Sequence, residues 1–536
     1  MSWSDALSAI AALAFLLAIH YIARRHFFKS SLANLPGPGG YSWLRGHTRQ
    51  LYDRQGWDFH LKEVPSYGSA VRLRGYLGED ILYVTDPVAL RAILVKEHGD
   101  GFDEPPMIIE RNKLLWGPGL LSSTGLAHKR QRTLAFSAFS EKRIKSMTPM
   151  LYHVVEATLR DQVRFGPAEL DMMHWASRCA LECIAQAGMG VSFDALKADS
   201  HPNEYMVAAK QLIPLSFSLQ AFMRAIPLVV KLGSPKFLGA LTACAPIASI
   251  RKLRDISYFL FDTNAALYRR RKREVRADDK PAAHGNDALS FLIHENNNGP
   301  ECQRNTDEEM ISQIGTLMFA GQDTTSVALA RILHVLALDQ RCQDCLREEL
   351  RSVGDHHISA YEVLSQLPYL DAVCKETLRF YSPVTQLHRV SRRDVTVPLG
   401  RPIIGKDGTA VGELLVEAGT FIVIGATAVN RDPLIWGPTS EQWIPERWLD
   451  PLPKSVTDAH LPSVYGNLMS FMGGGRSCIG FKFAEAEIKV VLHVLISRFK
   501  FEPPASADIQ WCMYNFATPT VDGKPSLPLK VTMLPL

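Results

Sequence analysis

The segment from Phe471 to Gly480 constrains this chain most, because it places a cysteine between a glycine-rich loop and a helix. It reads FMGGGRSCIG, with Arg476 two residues before Cys478. The glycines permit close approach of another group to the backbone, and free N–H groups at the start of the following helix favour a thiolate. A lone cysteine in a turn is usually inert, so the prediction that Cys478 performs chemistry depends on the whole segment.

The N-terminus carries an apolar run from residue 6 to residue 23, interrupted by one serine and one histidine. As a helix these residues would span about 27 Å, close to the thickness of a bilayer core. Basic residues follow the run and none precedes it, which predicts a retained single-pass anchor with the remaining chain on the cytoplasmic side. The alternative is a buried helix of the globular body.

Composition limits the environment and the partners. The nine cysteines are scattered and odd in number, which favours a reducing compartment over a disulfide framework. The net charge of +4 is too small to indicate nucleic-acid binding. We therefore expect a protein of the cytoplasmic side, without a nucleic-acid partner.

Hydrophobic periodicity predicts mostly helices with fewer strands. Thr306 and Glu309 have the spacing of a capping box at the start of the longest helix, which runs to about Leu338. The other predicted elements are a strand pair within 70–86, helices through 127–276, a loop over 277–305, helices at 340–352 and 366–380, a strand at 421–424 and a last helix at 480–498.

Three further patterns accompany the cysteine. Polar residues interrupt the longest helix at 320–325, where AGQDTT contains poor helix formers; this conflict indicates a functional site, with a surface-facing polar patch as the alternative. Glu376 and Arg379 share a helix face. The sequence PERW at 445–448 supplies a second arginine, Arg447.

Together, and in this order, these segments resemble the cytochrome P450 superfamily, in particular its microsomal, fungal members. Phe471 to Gly480 agrees with every fixed position of the family's Phe-x-x-Gly-x-Arg-x-Cys-x-Gly loop. The resemblance implies a mainly α fold with a smaller β region, preceded by an N-terminal transmembrane helix. The expected division is an anchor and flank at 1–29, a Pro/Gly hinge at 30–40 and one haem domain at 41–536, although length alone would suggest three or four domains.

By the same resemblance, Cys478 is the axial ligand of the iron in haem b. Phe471 would shield its sulfur. The side chains that would meet the haem propionates are His128, Arg132, Arg389 and Arg476. His128 stands where the family usually has tryptophan, and a histidine can still donate a hydrogen bond.

The resemblance also assigns roles away from the cysteine. Asp323 and Thr324 would deliver protons beside the haem from a widened helical turn. Glu376, Arg379 and Arg447 would form a buried triad that fixes the core, next to Trp448 where the family usually has phenylalanine.

The implied activity is monooxygenation of a lipophilic small molecule, such as a terpenoid or sterol-like secondary metabolite, at the endoplasmic reticulum membrane. It would use O2 and electrons from NADPH–cytochrome P450 reductase, with cytochrome b5 as a further candidate donor. Lys129, Arg130 and Lys482 are expected to form part of the reductase-docking face. The alternatives are a peroxide-using or rearranging haem-thiolate enzyme and a non-catalytic membrane haem-binding protein.

The resemblance places the substrate pocket at five segments: 104–121, 212–223, 316–324, 384–388 and 515–519. Apolar residues expected there are Leu212, Phe217, Phe222, Met318 and Phe516. Two other patterns carry no prediction of chemistry. The sequence GRPIIGKD at 400–407 lacks the Ser or Thr of a P-loop and indicates a hairpin. Cys342 and Cys345 have zinc spacing without a second pair, which indicates helical cysteines.

Overall fold

The computed structural model describes residues 30–156, 159, 162–163, 166–196, 203–277, 287–354, 360–513 and 516–535. The predicted anchor at residues 6–23 lies outside them. Within these ranges, no helix combines the length and the hydropathy that a membrane span requires.

Helices form most of the described structure. In chain order they are α1 Thr48–Leu51, α2 Pro87–Arg91, α3 Pro106–Trp116, α4 Gly125–Ala138, α5 Glu141–Glu156, α6 Met172–Cys183, α7 Glu204–Ser218, α8 Ile226–Val229, α9 Pro235–Ala243, α10 Ala248–Ala277, α11 Ala288–Asn298, α12 Asp307–Leu338, α13 Gln340–Ser352, α14 Ala360–Ser365, α15 Pro368–Phe380, α16 Ala426–Asn430, α17 Pro433–Trp436, α18 Lys454–Asp458 and α19 Phe481–Arg498.

The strands form smaller sheets. They are β1 Ala70–Arg74, β2 Asp80–Val84, β3 Phe102–Asp103, β4 Ala168–Asp171, β5 Leu387–Ser391, β6 Val395–Ile404, β7 Ala410–Val416, β8 Phe421–Ile424, β9 Phe499–Glu502, β10 Gln510–Met513, β11 Ala517–Val521, β12 Lys524–Pro525 and β13 Pro528–Met533.

One mixed sheet, in the order β1-β2-β8-β5-β3, joins the early strands to the late ones. Strand β2 pairs with β8 in parallel, whereas β5 pairs with both β8 and β3 in antiparallel fashion. In this register Arg389 of β5 lies opposite Ile422, and Asp103 of β3 lies opposite Val390. The sheet therefore brings two charged side chains from distant parts of the chain to one edge of the site.

Helix α12 is the central element, and the sequence predicted its limits. The Thr306 hydroxyl accepts from the Glu309 N–H at 3.2 Å, and the Glu309 carboxylate accepts from the Thr306 N–H at 2.8 Å. These two bonds satisfy N–H groups that the first turn of a helix leaves free. With 32 residues, α12 is about 48 Å long, and it packs against α6 and α10.

The Pro/Gly segment packs against the body. Leu32 and Leu35 are buried, and the Pro36 carbonyl accepts from the Arg72 N–H of β1 at 2.9 Å. These contacts fix residues 30–36 to the mixed sheet, while the division into anchor, hinge and haem domain stays a prediction.

One predicted loop is wrong. Residues 288–298 of the expected 277–305 loop form α11, which Asp287 caps by accepting from the Ser290 N–H at 2.8 Å. Leu289, Leu292 and Ile293 are buried, so tertiary packing overrides the poor helix propensity of the three asparagines that follow. The predicted hairpin over 400–407 is confirmed by the pairing of β6 with β7, and Cys342 and Cys345 are helical.

Candidate active site

The cysteine loop is shaped by contacts within the protein. The Cys478 N–H donates to the Phe471 carbonyl at 3.0 Å. Gly474 has a φ of 78°, and a Cβ there would lie 1.9 Å from the Leu94 carbonyl oxygen; a Cβ at Gly475 would lie 2.1 Å from the ring of His98. Both positions therefore require glycine because neighbouring protein approaches them closely.

The backbone conformation at Gly480 does not require glycine. Its φ of −93° is accessible to any residue, and a Cβ there would meet no protein atom within 4 Å. The protein thus supplies no reason for a glycine at this position, which leaves room for a bound group beside the helix start.

Cys478 borders a cavity of about 920 Å³ whose wall also contains His128, Arg132, Arg476 and Phe481. Surrounding protein raises the pKa of the Cys478 thiol, while the Gly480 N–H and the Arg132 guanidinium act in the opposite direction. Helix α19 begins three residues later, at Phe481. Cys478 itself is exposed to the cavity, so a cation bound there could reach the sulfur and would stabilise its thiolate form.

Arg476 lies at the edge of the same cavity with an incomplete set of partners. Its Nη2 donates to the Ser123 carbonyl at 2.8 Å and to Asp103 Oδ1 at 3.2 Å. Its buried Nε has no hydrogen-bond partner among the described residues. Sequence reasoning missed Asp103, because this contact joins positions 373 residues apart.

Arg389 is buried in β5, and its guanidinium also lacks a full set of hydrogen-bond partners in the described structure. Its Nη1 donates to the His388 carbonyl at 2.7 Å and its Nη2 lies 3.3 Å from Met472 Sδ. Its Nε lacks a partner within the described part of the chain, and burial lowers the pKa of the guanidinium. Buried cations need an anion; Arg476 has Asp103, whereas Arg389 has no ion pair within the described ranges. Arg389 and the free Nε of Arg476 therefore form a site suited to acidic groups.

His128 and Arg132 lie one helical turn apart on α4, facing the cysteine loop. Arg132 donates to the Ser477 carbonyl and hydroxyl, both at 2.7 Å. Burial, followed by the charges of Arg476 and Arg132, lowers the pKa of His128 to about 3. The imidazole is therefore neutral at physiological pH and can still donate one hydrogen bond.

The acid–alcohol pair lies in the middle of α12. Burial raises the pKa of Asp323 to about 6, and the nearby Lys210 of α7 partly opposes this rise. The Thr324 hydroxyl donates to the Ala320 carbonyl at 2.7 Å. The helix is uninterrupted α-helix through 320–325, so the widened turn expected there is absent from this described helix; the hydroxyl instead bonds one turn back, as threonines in helices often do.

Glu376 is the centre of a fully buried charge network. Its carboxylate accepts from Arg379 Nε and Nη2 at 2.9 and 2.8 Å, and Arg447 Nε lies 3.4 Å away. The Ile444 N–H and the Trp448 Nε1–H each donate to it at 2.9 Å. The predicted triad is thus brought together, and the tryptophan that departs from the family pattern adds a hydrogen bond that phenylalanine cannot make.

A second, smaller cavity of about 280 Å³ lies beside Arg389. Four of the five predicted pocket segments contribute to its lining, and 316–324 does not. Of the apolar residues singled out, Phe516 lines it, whereas Leu212 and Met318 belong to the core and Phe222 is exposed. The Phe217 side chain lies outside the described structure. The charged residues of the lining, including Arg111, were not predicted, since the expected pocket residues were all apolar.

Two of the three basic residues expected at the reductase-docking face lie close to carboxylates of the protein. Arg130 donates to Glu309 at 2.5 Å and to Asn305 at 2.9 Å, and Lys482 lies 3.5 Å from Glu141. Lys129 lines the mouth of the cysteine cavity. Arg130 therefore anchors α4 to the start of α12, which leaves Lys129 as the strongest of the three docking candidates.

The residues present fit a haem. A cysteine faces a cavity large enough for a small-molecule cofactor, Gly480 leaves space beside it, and two buried arginines keep unpartnered N–H donors suited to carboxylates. No cluster of three or more metal-binding His, Cys, Asp or Glu side chains occurs in the described ranges.

Comparison with known proteins agrees with this site. A sequence model described as cytochrome P450 matches residues 36–526. Cytochrome P450 monooxygenase 81 of Postia placenta is 41% identical over 98% of this chain and 96% of its own length. Cytochrome P450 monooxygenase 91 of the same fungus is 39% identical over 95% of each chain. A ganoderic acid synthetase of Ganoderma lucidum is 36% identical over 98% of each chain. The chain belongs to the cytochrome P450 family and is a monooxygenase whose cofactor is haem b.

Proposed function

We propose that this enzyme oxidises a lipophilic terpenoid or sterol-like molecule with O2 and electrons that originate from NADPH. The observation that carries the proposal is the position of Cys478, which borders the same cavity as Arg476. Arg389 lines the second cavity, and each of these arginines has a buried Nε without a partner in the described residues. A non-catalytic haem-binding protein would have no need of an acid–alcohol pair in the middle of α12.

Cys478 would supply the thiolate ligand to the haem iron in this proposal. Haem b, when bound, supplies oxygen activation, and a thiolate ligand favours O–O cleavage. Arg132 holds Ser477 and lowers the pKa of the adjacent thiol. Phe471 packs edge-on against Tyr465, with ring centroids 5.3 Å apart, and covers the loop. Arg389, Arg476 and neutral His128 orient the cofactor's carboxylates.

Asp323 and Thr324 handle protons. A carboxyl with a pKa of about 6 exchanges protons readily near neutral pH. The Thr324 hydroxyl, which now donates to the Ala320 carbonyl, can rotate to donate to a ligand in the site. The pair would therefore pass protons from α12 toward the site when haem and O2 are bound.

The substrate class is inferred from the relatives and from the pocket. The name of the Ganoderma relative assigns it to ganoderic acid synthesis. The 280 Å³ cavity has apolar walls that include Met107, Ile108, Val384 and Phe516, which suit a lipophilic molecule.

The electron source and the membrane belong to the same proposal. We infer NADPH–cytochrome P450 reductase as the donor, with cytochrome b5 as a second one. Residues 1–29 would hold the haem domain at the endoplasmic reticulum, since the apolar run and the basic flank of the sequence suit a single-pass anchor.

Co-expression with a fungal reductase and incubation with a terpenoid and sterol panel test the proposal, with products identified by mass spectrometry. We expect an oxygenated product that requires NADPH and reductase. Product formation with peroxide alone would favour the peroxide-using alternative, and Asp323→Asn would then leave the rate unchanged. Haem binding without any product would favour the non-catalytic alternative.

A further inference from the structure

The smaller cavity contains a charge that an apolar substrate would not use. Its wall combines side chains of α3 and β5 with those of Ser216, Met223 and Arg224. Arg111, on α3, lines it together with apolar residues such as Met107 and Phe516. Placing a cation in such a wall is costly unless an anion or several acceptors satisfy it.

Arg111 has only a neutral partner. Its Nε and Nη2 donate to the Asn112 amide oxygen at 3.2 and 2.9 Å. No ion pair joins it to a carboxylate within the described ranges. Burial lowers the pKa of Arg111, and Glu104 acts against that lowering without forming an ion pair.

The other charged groups around the cavity are already matched. Arg224 forms an ion pair with Glu79, and Glu104 lies 3.9 Å from Arg476. Burial, together with the charge of Arg111, lowers the pKa of His388 to about 4, so this imidazole is neutral. Arg389 is a haem-carboxylate contact in the proposed function. Arg111 is therefore the charge of this cavity that is matched neither by a carboxylate of the described residues nor by haem in the proposed function.

We propose that Arg111 binds a carboxylate on the substrate, so that the enzyme acts on a lipophilic carboxylic acid. A guanidinium fork matches a carboxylate in geometry, and the apolar wall of the cavity accepts the hydrocarbon part. This inference rests on the proposed function and specifies its substrate class. The acid group would lie at α3 and fix which end of the molecule points toward Cys478.

Equilibrium dialysis of the full-length holoenzyme with dodecanoic acid and with methyl dodecanoate tests the inference, since the two probes differ in charge and little in shape. We expect the acid to bind at least about tenfold more tightly than the ester. Arg111→Gln should reduce this ratio to about one, and Arg111→Lys should restore part of it. Lys113→Gln removes an exposed charge from the same helix and should leave the ratio unchanged.

Equal binding of acid and ester by the unmutated protein would overturn the inference, as would failure of both to bind. A ratio unaffected by Arg111→Gln, accompanied by loss of haem, would assign the arginine to the cofactor and also overturn it. The carbon monoxide spectrum of each preparation distinguishes failure of this inference from failure of the proposed function. An intact thiolate spectrum with no acid preference contradicts only this inference, whereas a missing thiolate spectrum contradicts the proposed function itself.

Discussion

Two groups of buried arginines in this molecule differ in how their charges are matched. Arg379 directs its guanidinium to Glu376 and to the carbonyls of Asn430, Ser440 and Gln442 at 2.8–2.9 Å. Arg389 and Arg476, in contrast, each keep a buried Nε without a partner in the described chain. A closed network stabilises the fold by itself, whereas an open one is completed by a ligand.

The largest expected effect is the loss of Glu376. Glu376→Gln leaves two buried guanidinium groups without their carboxylate, and we expect stability to fall by about 3–5 kcal/mol. Thermal and denaturant unfolding of the full chain would measure the loss. Glu362→Gln, which breaks an exposed pair with Lys145, is the matched control and should scarcely move the midpoint. Similar shifts for the two variants would contradict the closed-network description.

Arg389→Gln tests the second group of arginines, whose Nε donors lack partners in the described chain. Haem loss to an excess of a haem acceptor should be about tenfold faster, since a charge-assisted contact to the cofactor is removed. The stability of the haem-free chain should be unchanged or higher, because a buried, unmatched cation disappears. Arg393→Gln, an exposed neighbour paired with Glu97, should alter neither quantity. A haem-free chain that unfolds as readily as the Glu376 variant would show that Arg389 is part of the fold.

Trp448→Phe sharpens the description of the closed network. It restores the residue usual in the family and removes the 2.9 Å bond to Glu376, so we expect a loss of about 1–2 kcal/mol. Trp443→Phe is its control, because the Nε1–H of Trp443 donates to the neutral Thr377 hydroxyl at 3.1 Å and should matter less. Equal losses would mean that ring packing, rather than the bond to the carboxylate, determines the effect.

The smallest effect concerns Asp323. Its charge is matched less completely than that of Glu376, because the nearby Lys210 only partly opposes the rise in its pKa. Lys210→Met should raise the pKa of Asp323, so the limb of the pH–rate profile near pH 6 should move upward by up to about one unit. Lys231→Met, an exposed change, should leave the limb in place. A limb that vanishes in Asp323→Asn yet does not move in Lys210→Met would show that the lysine does not influence the acid.

Local patterns predicted the parts of the site that lie close together in sequence. The cysteine loop, the capping box of α12 and the pair of Glu376 with Arg379 each fall within ten residues. Spacing predicts the capping box, and the resemblance to the cytochrome P450 family supplies the roles of the other two. The contacts that complete them are long-range. Asp103 meets Arg476 only because β3 joins β5 in the mixed sheet, and no local pattern encodes that pairing.

Two other differences have local causes. Helix α11 was missed because its buried leucines and isoleucine are followed by three asparagines that indicate a loop. The glycines of the cysteine loop were correctly singled out, but the group that approaches Gly474 and Gly475 is the protein itself. The role of Arg111 could not be predicted from the sequence, because it depends on which carboxylates the fold places near the guanidinium.

The carbon monoxide spectrum of the reduced protein tests whether Cys478 binds the haem iron, because the Soret band reports which protein group is the ligand. We expect the red-shifted band of thiolate ligation in the unmutated protein and its loss in Cys478→Ala. A control at Cys512, a buried cysteine of β10, replaced as Cys512→Ala, should keep the band. A band at the position of histidine ligation in the unmutated protein, or an unchanged band in Cys478→Ala, would contradict the account.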